Sequence, residues 1–153
     1  MLSIGDGDTI RVLRGDQPIT VRLACIDAPE MSQTPWGLQS RRYLAQRLPL
    51  GSWVSIRPQA IDRYGRTVAE VIGELNLNLV MVEDGQAFAY RHYLAQCDGP
   101  AYLEAEFRAS RHRYGVWQES GGIERPWLYR RAQHSRAHSR CRQDAACGFK
   151  LPD

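Results

Sequence analysis

The sequence predicts a single small α+β domain built on an antiparallel β-barrel. Its 153 residues correspond to about one domain, at roughly 150 residues per domain. Segments rich in β-branched residues fill the first half and helical segments follow, without the regular alternation of a parallel α/β fold. Hydrophobic residues make up 43% and charged residues 24%, and no apolar run approaches the roughly 18 residues of a membrane span. Disorder and membrane insertion are therefore excluded for most of the chain.

Four β-strands are predicted from runs of β-branched and apolar residues that end at turns. Gly15-Asp16-Gln17-Pro18 marks the turn between the first two strands, and Asp62-Arg63-Tyr64-Gly65 precedes the fourth. The four strands cover residues 8–13, 19–26, 53–57 and 67–72. They form a β-meander that is interrupted by one helix.

Three helices are predicted from apolar residues at helical spacing. The first covers residues 38–48. The second is short, with Asn76 as its candidate cap and Gly85 as its end. The third begins after Gly99-Pro100 and continues to about Arg113.

The positive charge is concentrated at the C-terminal end of the chain. Residues 126–153 carry 6 basic and 2 acidic residues, whereas residues 1–125 carry 14 arginines and 15 acidic residues. Apolar periodicity almost disappears after residue 128, so residues 129–153 are predicted to be a basic tail, either flexible or tied by a disulfide. Residues 1–128 form the predicted folded domain.

The four cysteines leave several pairings open. Cys25 lies in an apolar run and is predicted to be a buried free thiol, whereas the pairing of Cys97 is left open. No secretory signal is visible before the first motif, although one could have been removed. The alternatives for the tail are a disulfide between its two cysteines, free thiols, or a zinc site formed by His134, His138, Cys141 and Cys147.

Carboxylates cluster in two short segments at neighbouring strand ends. Asp6-Gly7-Asp8-Thr9 begins one strand, and Asp27-Ala28-Pro29-Glu30 ends the next. Several carboxylates in one cleft repel one another and raise their own pKa values unless a cation neutralises them. Oxygen ligands without His or Cys suit Ca²⁺ or Mg²⁺ better than zinc.

Arg22 lies in the middle of a predicted strand among apolar neighbours, where an unpaired guanidinium is costly to bury. It therefore needs an anion, either a carboxylate of the cluster or a phosphate. A regular strand would place Arg22 and Asp27 on opposite faces, so the strand must twist, bulge or end before Asp27. Arg66 follows a predicted turn and offers a second guanidinium.

Taken together, these segments resemble the staphylococcal nuclease (thermonuclease) family over residues 1 to about 128. The resemblance implies a five-stranded OB-type barrel with three α-helices. This chain departs from the family in that only five residues precede Asp6, so the family's first strand is cut short, which suggests a missing N-terminal segment or an alternative start. It also implies calcium-dependent hydrolysis of DNA and RNA phosphodiester bonds by attack of water. The matching segments occur in the family's order and are Asp6 to Thr9, Arg22-Leu23, Asp27 to Glu30, Asp62 to Arg66, Asn78 to Gly85 and Gly115 to Trp117.

For the metal, the resemblance implies that Asp8 and Asp27 bind Ca²⁺ through their carboxylates. The backbone carbonyl of Ala28 is implied as a further ligand, and Asp6 would lie close to these ligands without contacting the ion itself.

For the reaction, the resemblance implies that Arg22 and Arg66 hold the scissile phosphate. Glu30 would act as general base on the attacking water. Tyr64 and Tyr90 would line the nucleotide pocket. These roles are chemically consistent, because attack on a phosphodiester requires charge neutralisation, fixed oxygens and a deprotonated water.

The expected substrates are DNA and RNA in single-stranded or unstructured form, and the expected enzyme is a secreted or periplasmic monomer that does not bind membranes. The main alternative is a non-catalytic OB-fold module that binds single-stranded nucleic acid. The carboxylates and both arginines favour the enzyme. A protein-interaction domain has less support, since Trp53 and Trp117 are predicted to pack in the core.

Overall fold

The computed structural model of the chain describes residues 1–143, and the side chains of residues 1–140. Within residues 1–143 there are seven strands: β1 (Ser3–Asp6), β2 (Thr9–Arg14), β3 (Gln17–Leu23), β4 (Ile26–Asp27), β5 (Ser55–Ile61), β6 (Thr67–Ile72) and β7 (Phe88–Ala89). The α-helices are α1 (Trp36–Arg47), α2 (Leu77–Glu83), α3 (Gly99–His112) and α4 (Pro126–Gln143). Two 3₁₀ helices cover Arg91–Gln96 and Gly115–Trp117.

Five strands form one sheet in the order β1-β2-β3-β6-β5, and β4 pairs separately with β7. Only β3 and β6 run parallel within the large sheet. Its edge strands β1 and β5 do not pair with each other within residues 1–143, so the sheet is not closed. Met1 links the two edges by donating to the Ser52 carbonyl at 2.8 Å and accepting from the Gly51 amide at 3.0 Å. The predicted α+β class and five-stranded OB-type fold are confirmed, but the sheet is not the closed, wholly antiparallel barrel that was predicted, because β1 and β5 stay apart and β3 and β6 run parallel.

The main core lies between the sheet and helices α1 to α3. β2 and β3 contribute alternating apolar residues to this core. Ile10 of β2 and Val21 of β3, for example, are both fully buried. Trp117 is buried as predicted, but Trp53 is 96% exposed. The prediction for Trp53 is wrong because β5 begins at Ser55, which leaves the indole in the preceding loop rather than on the inner face of the sheet.

A fourth α-helix, α4, covers the start of the segment that was predicted to be a flexible or disulfide-tied basic tail. Proline is tolerated in the first turn, where its missing N–H has no helical partner, and Pro126 begins α4. The arginine, glutamine and alanine residues that follow have high helix propensity even without an apolar stripe. The count of three helices was therefore too low. None of the helices within residues 1–143 has the length and apolar character needed to cross a bilayer.

The cysteine prediction is corrected at one position. Cys25 is not a free thiol but forms a disulfide with Cys97, 72 residues later in the chain. The apolar run around Cys25 correctly indicated burial, but the partner comes from the end of the 3₁₀ helix Arg91–Gln96, which sequence spacing does not reveal. The alternatives for Cys141 and Cys147 involve side chains outside the described part of the chain.

Candidate active site

The two carboxylate segments meet because β3 ends early. β3 stops at Leu23, and β4 begins at Ile26 after a residue in the left-handed region, Cys25 with φ of 67°. This break brings Nη2 of Arg22 to 3.5 Å from Oδ1 of Asp27. Of the three alternatives considered for this strand, a twist, a bulge or an end before Asp27, the structure shows an end, at Leu23.

The turn between β1 and β2 carries Asp6 and Asp8 and packs tightly against α1. A Cβ atom at Gly7 would overlap the hydroxyl of Ser40 and crowd the side chain of Ala28. Oδ2 of Asp8 accepts a hydrogen bond from the Ala28 amide at 2.8 Å, and Oδ1 of Asp6 accepts one from the Asp8 amide at 3.1 Å. Glycine is thus required here for the close approach that joins the two segments.

The guanidinium of Arg22 lies between the two carboxylate segments. Its Nη1 is 3.4 Å from Oδ2 of Asp8 and donates to the Leu23 carbonyl at 2.7 Å. Its Nη2 donates to the Ile26 carbonyl at 3.1 Å as well as approaching Asp27. Of the two anions considered for Arg22, the structure therefore supplies the carboxylates.

A cavity of about 830 Å³ opens over this cluster. Two further walls come from the turn after β5 and from the segment after β7, which adds Tyr93. Ala28 is buried behind the cavity and joins the cluster through its backbone. The other sequence-predicted site residues all line the cavity, and they are Asp6, Asp8, Arg22, Asp27, Glu30, Tyr64, Arg66 and Tyr90.

Arg66 is held by the turn that precedes it. Asp62 accepts from Nε of Arg66 at 2.7 Å and from the Arg66 amide at 2.9 Å, and Gly65 provides the positive φ of 78° that the turn requires. These hydrogen bonds outweigh desolvation and hold the pKa of Asp62 below its usual range. The guanidinium carbon of Arg66 lies 5.3 Å from the ring centre of Tyr64, which is 68% exposed.

Tyr90 and Tyr93 line the cavity, and a backbone hydrogen bond holds the start of their segment in place. The Tyr90 amide donates to the Cys25 carbonyl at 2.9 Å, so the disulfide-bonded residue also anchors the start of this segment. The rings of Tyr90 and Tyr93 lie 4.9 Å apart and are tilted relative to each other. Two aromatic rings therefore line the cavity that Tyr64 and Arg66 also line.

Arg130 of α4 is a residue of this site that sequence analysis missed. Its Nη1 donates to Asp27 at 2.9 Å and to Glu30 at 2.8 Å, and its Nη2 donates to Asp27 at 2.7 Å. The only sequence signals were Pro126, which can start a helix, and the aromatic residues Trp127 and Tyr129 that could dock its first turn.

Burial and mutual repulsion shift the pKa values of the clustered carboxylates. Burial raises the pKa of Asp6 to about 7, with a further contribution from the nearby Asp8. Burial also raises the pKa of Asp27 to about 6, although the hydrogen bonds from Arg130 oppose this shift. Asp8 is likewise desolvated, but Arg22 and its hydrogen-bond donors outweigh the burial and lower its pKa. The cluster therefore benefits from a cation.

The donor chemistry of the cluster fits a hard metal ion, because carboxylate and backbone carbonyl oxygens are the ligands that Ca²⁺ prefers. Within residues 1–143, however, no three His, Cys, Asp or Glu side chains converge as a ready-made metal site. The guanidinium groups of Arg22 and Arg130 lie among the carboxylates instead.

Comparison with known proteins places the chain in a family. Residues 20–119 match the family described as Staphylococcal nuclease homologue. The chain is 42% identical over 142 residues to a protein named Micrococcal nuclease from Shigella flexneri, with 86% of this chain and 79% of the relative covered. It is 39% identical over 135 residues to a Haemophilus influenzae protein named Uncharacterized endonuclease, with 87% and 72% covered. It is 37% identical over 146 residues to Protein ParB of Escherichia coli, with 89% and 80% covered. The chain therefore belongs to the family of staphylococcal nuclease homologues and is a nuclease, a hydrolase of phosphodiester bonds.

Proposed function

We propose that the chain hydrolyses phosphodiester bonds of DNA and RNA by attack of water, with calcium as its cofactor and the 830 Å³ cavity as its active site. This proposal rests on the observation that a carboxylate cluster, Glu30, Arg22 and Arg66 all line one cavity. The names of the relatives, a nuclease and an endonuclease, agree with this activity.

Arg66 and Arg22 would bind the phosphate to be cleaved. The terminal nitrogens of Arg66 make no hydrogen bond within residues 1–143, whereas its Nε is held by Asp62. A planar fork of this kind donates two parallel hydrogen bonds to phosphate oxygens. Arg22 is 16% exposed in its side chain and borders the same cavity, so it would contact the phosphate while it balances the charge of Asp8.

Glu30 would act as the general base on the attacking water. Its amide donates to Oε1 of Gln33 at 3.0 Å, which holds the backbone of the loop after β4 in place. Its side chain is 31% exposed and can therefore reach a water molecule in the cavity. A positioned base of this kind contributes typically about 10² to 10⁴-fold to the rate.

Asp8, Asp27 and the carbonyl of Ala28 would hold calcium, with Asp6 supporting them from the neighbouring turn. Their hard oxygen donors and the raised pKa values of Asp6 and Asp27 both favour a bound cation. When bound, calcium would neutralise negative charge on the phosphate and lower the pKa of the attacking water.

The aromatic residues support unpaired strands as substrates. Tyr64 on one wall and Tyr90 on the other can stack with bases that are not engaged in a duplex, and such stacking tolerates any sequence. We therefore propose single-stranded or unstructured DNA and RNA as substrates of a monomeric enzyme. The disulfide between Cys25 and Cys97 supports a secreted or periplasmic location, because disulfides persist in oxidising compartments.

The decisive experiment compares release of acid-soluble nucleotide by the wild type, Glu30→Gln and Arg66→Lys under saturating calcium. We expect Glu30→Gln to lower turnover by about 10² or more with little change in nucleotide binding. Arg66→Lys should also be severely impaired, because an ammonium group cannot replace a planar fork. Asp16→Asn, in the exposed turn between β2 and β3, is the control and should retain full activity.

Two outcomes would count against the proposal. Equal rates in all variants would refute the assigned roles. Binding of nucleic acid by the wild type without calcium-dependent release of nucleotide would favour the non-catalytic OB-fold module instead. Circular dichroism of each variant establishes beforehand that it is folded.

A further inference from the structure

Arg130 binds the carboxylate of Asp27, which the proposed function assigns to calcium. Its two terminal nitrogens bind both carboxylate oxygens of Asp27, at 2.9 Å and 2.7 Å, and one of them also binds Glu30 at 2.8 Å. We propose that Arg130 is a built-in cation that competes with calcium for Asp27 and ties down Glu30 until calcium is bound. This inference rests on the proposed function, and it adds a residue that controls metal occupancy of the site.

Of the two carboxylates that Arg130 binds, Asp27 is the more deeply buried. The Asp27 side chain is 1% exposed, and a carboxylate at that depth is costly to leave without a counter-charge. A guanidinium that forms two parallel hydrogen bonds with a carboxylate is among the strongest ion pairs in proteins. Arg22 lies farther away, at 3.5 Å from Asp27, so Arg130 is the main counter-charge of this carboxylate.

The helix that carries Arg130 is docked on the cavity by aromatic side chains. The Trp127 ring lies 5.3 Å from the ring of Tyr90 and 6.1 Å from that of Phe88, with edge-to-face geometry in both cases. These contacts set the position of the first turn of α4. Arg130 follows about one turn after Pro126.

Polar contacts attach the first turn of α4, and the segment just before it, to the loop that carries Glu30. The Tyr129 hydroxyl donates to the Ser32 hydroxyl at 2.7 Å. Gln33 donates to the Glu124 carbonyl at 2.9 Å while it accepts from the Glu30 amide. Arg130 is therefore presented to the carboxylates by a built interface rather than by a loose chain end.

The two cations exclude each other at Asp27. A calcium ion bound to either Asp27 oxygen would repel the guanidinium, which already satisfies both oxygens. The Arg130 side chain is 40% exposed, so it can swing toward solvent when it is displaced. Metal binding would then free the Glu30 carboxylate for its role as base. By linkage, calcium should weaken the attachment of Arg130 as much as Arg130 weakens calcium binding.

The test is a calorimetric titration of calcium into the wild type, Arg130→Gln and Arg131→Gln, without nucleic acid. Arg131 is exposed on the same helix, so its variant removes the same charge without touching the carboxylates. We expect Arg130→Gln to bind calcium at least about fivefold more tightly than the wild type, in the usual range of coupling between two sites. Arg131→Gln should stay within about twofold. Arg130→Lys keeps the charge but not the fork, and it should fall between Arg130→Gln and the wild type.

A second measurement follows the helix itself. Deuterium exchange of the backbone amides of residues 127–133 should accelerate when calcium is added to the wild type and should respond less in Arg130→Gln. Equal or weaker calcium binding by Arg130→Gln, with normal binding by the wild type, would overturn the role of Arg130 but not the proposed function. Absence of calcium binding in the wild type and in every variant would overturn both. A thermal melt of each variant establishes beforehand that it is folded.

Discussion

Oδ2 of Asp62 accepts a hydrogen bond from Nε of Arg66 at 2.7 Å, within the turn that also fixes the Arg66 backbone. Because Asp62 orients the guanidinium without blocking its terminal nitrogens, we expect Asp62→Ala to lower kcat by about tenfold or more, through misplacement of the fork. Steady-state kinetics on a defined oligonucleotide measures the effect.

A double variant that combines Asp62→Ala with Arg66→Lys tests whether Asp62 acts by positioning Arg66 or in some other way. If Asp62 acts through Arg66, Asp62→Ala should have little further effect in an Arg66→Lys background. Asp16→Ala, in another exposed turn, is the matched control. Additive losses in the double variant would contradict the proposed dependence of Arg66 on Asp62.

Replacement of both Cys25 and Cys97 by alanine should destabilise the protein strongly. The disulfide closes a loop of 72 residues, for which the loss of chain entropy in the unfolded state is worth about 4 kcal/mol. Urea denaturation of the double variant measures the free energy of unfolding. Addition of a reductant should destabilise the wild type similarly and leave the variant unchanged, whereas equal stability under all conditions would be incompatible with the bond.

Asn78 is fully buried and joins three elements of the fold. Its Oδ1 accepts from the Val71 amide at 3.0 Å, and its Nδ2 donates to the Ala24 carbonyl at 2.9 Å. Asn78→Ala leaves two buried backbone groups without partners and should lower the free energy of unfolding by about 3 to 5 kcal/mol. Asn76→Ala, two residues earlier, removes the cap of α2 and partly buried hydrogen bonds to Glu70 and Tyr102, and it should cost about 2 kcal/mol. Similar losses in both variants would refute the special role of Asn78.

The carboxylates implied as metal ligands should differ from other acidic residues in calcium binding. Asp8→Ala and Asp27→Ala should each weaken calcium binding at least about tenfold, since removal of even a supporting partner costs about that much. Calorimetric titration checks this, with Asp16→Ala as the control. Unchanged affinity in both site variants would place the calcium site elsewhere.

The exposed arginines of α4 should bind the polynucleotide backbone away from the reaction centre. Arg136 and Arg140 are exposed and lie beyond Arg130 on the same helix. Replacing both with glutamine should raise KM at low salt and leave kcat unchanged, because contacts to phosphate add affinity that depends on salt. The slope of log KM against the logarithm of the salt concentration should decrease by about one for each arginine replaced. Arg11→Gln on the exposed face of β2 is the control, and a fall in kcat would contradict the prediction.

Much of the fold followed from local sequence patterns. β6 and α2 lie within a residue or two of their predicted positions, because turn residues and a capping asparagine mark their ends. Clustering of Asp8 with Asp27 was predictable because the ends of neighbouring strands lie close together. The disulfide partner of Cys25 was not predictable, since nothing local relates two cysteines 72 residues apart.

Sequence by itself determined which groups are available for chemistry: hard oxygen donors at two strand ends, the guanidinium groups of Arg22 and Arg66, and the carboxylate of Glu30. Only the tertiary structure decided how they are paired. Arg22 meets Asp27 because Cys25 breaks the strand with a positive φ, and Arg130 reaches Asp27 because α4 docks through Trp127. The physical reason is that local patterns report the preferences of neighbouring residues, whereas these ion pairs depend on contacts between segments up to 103 residues apart.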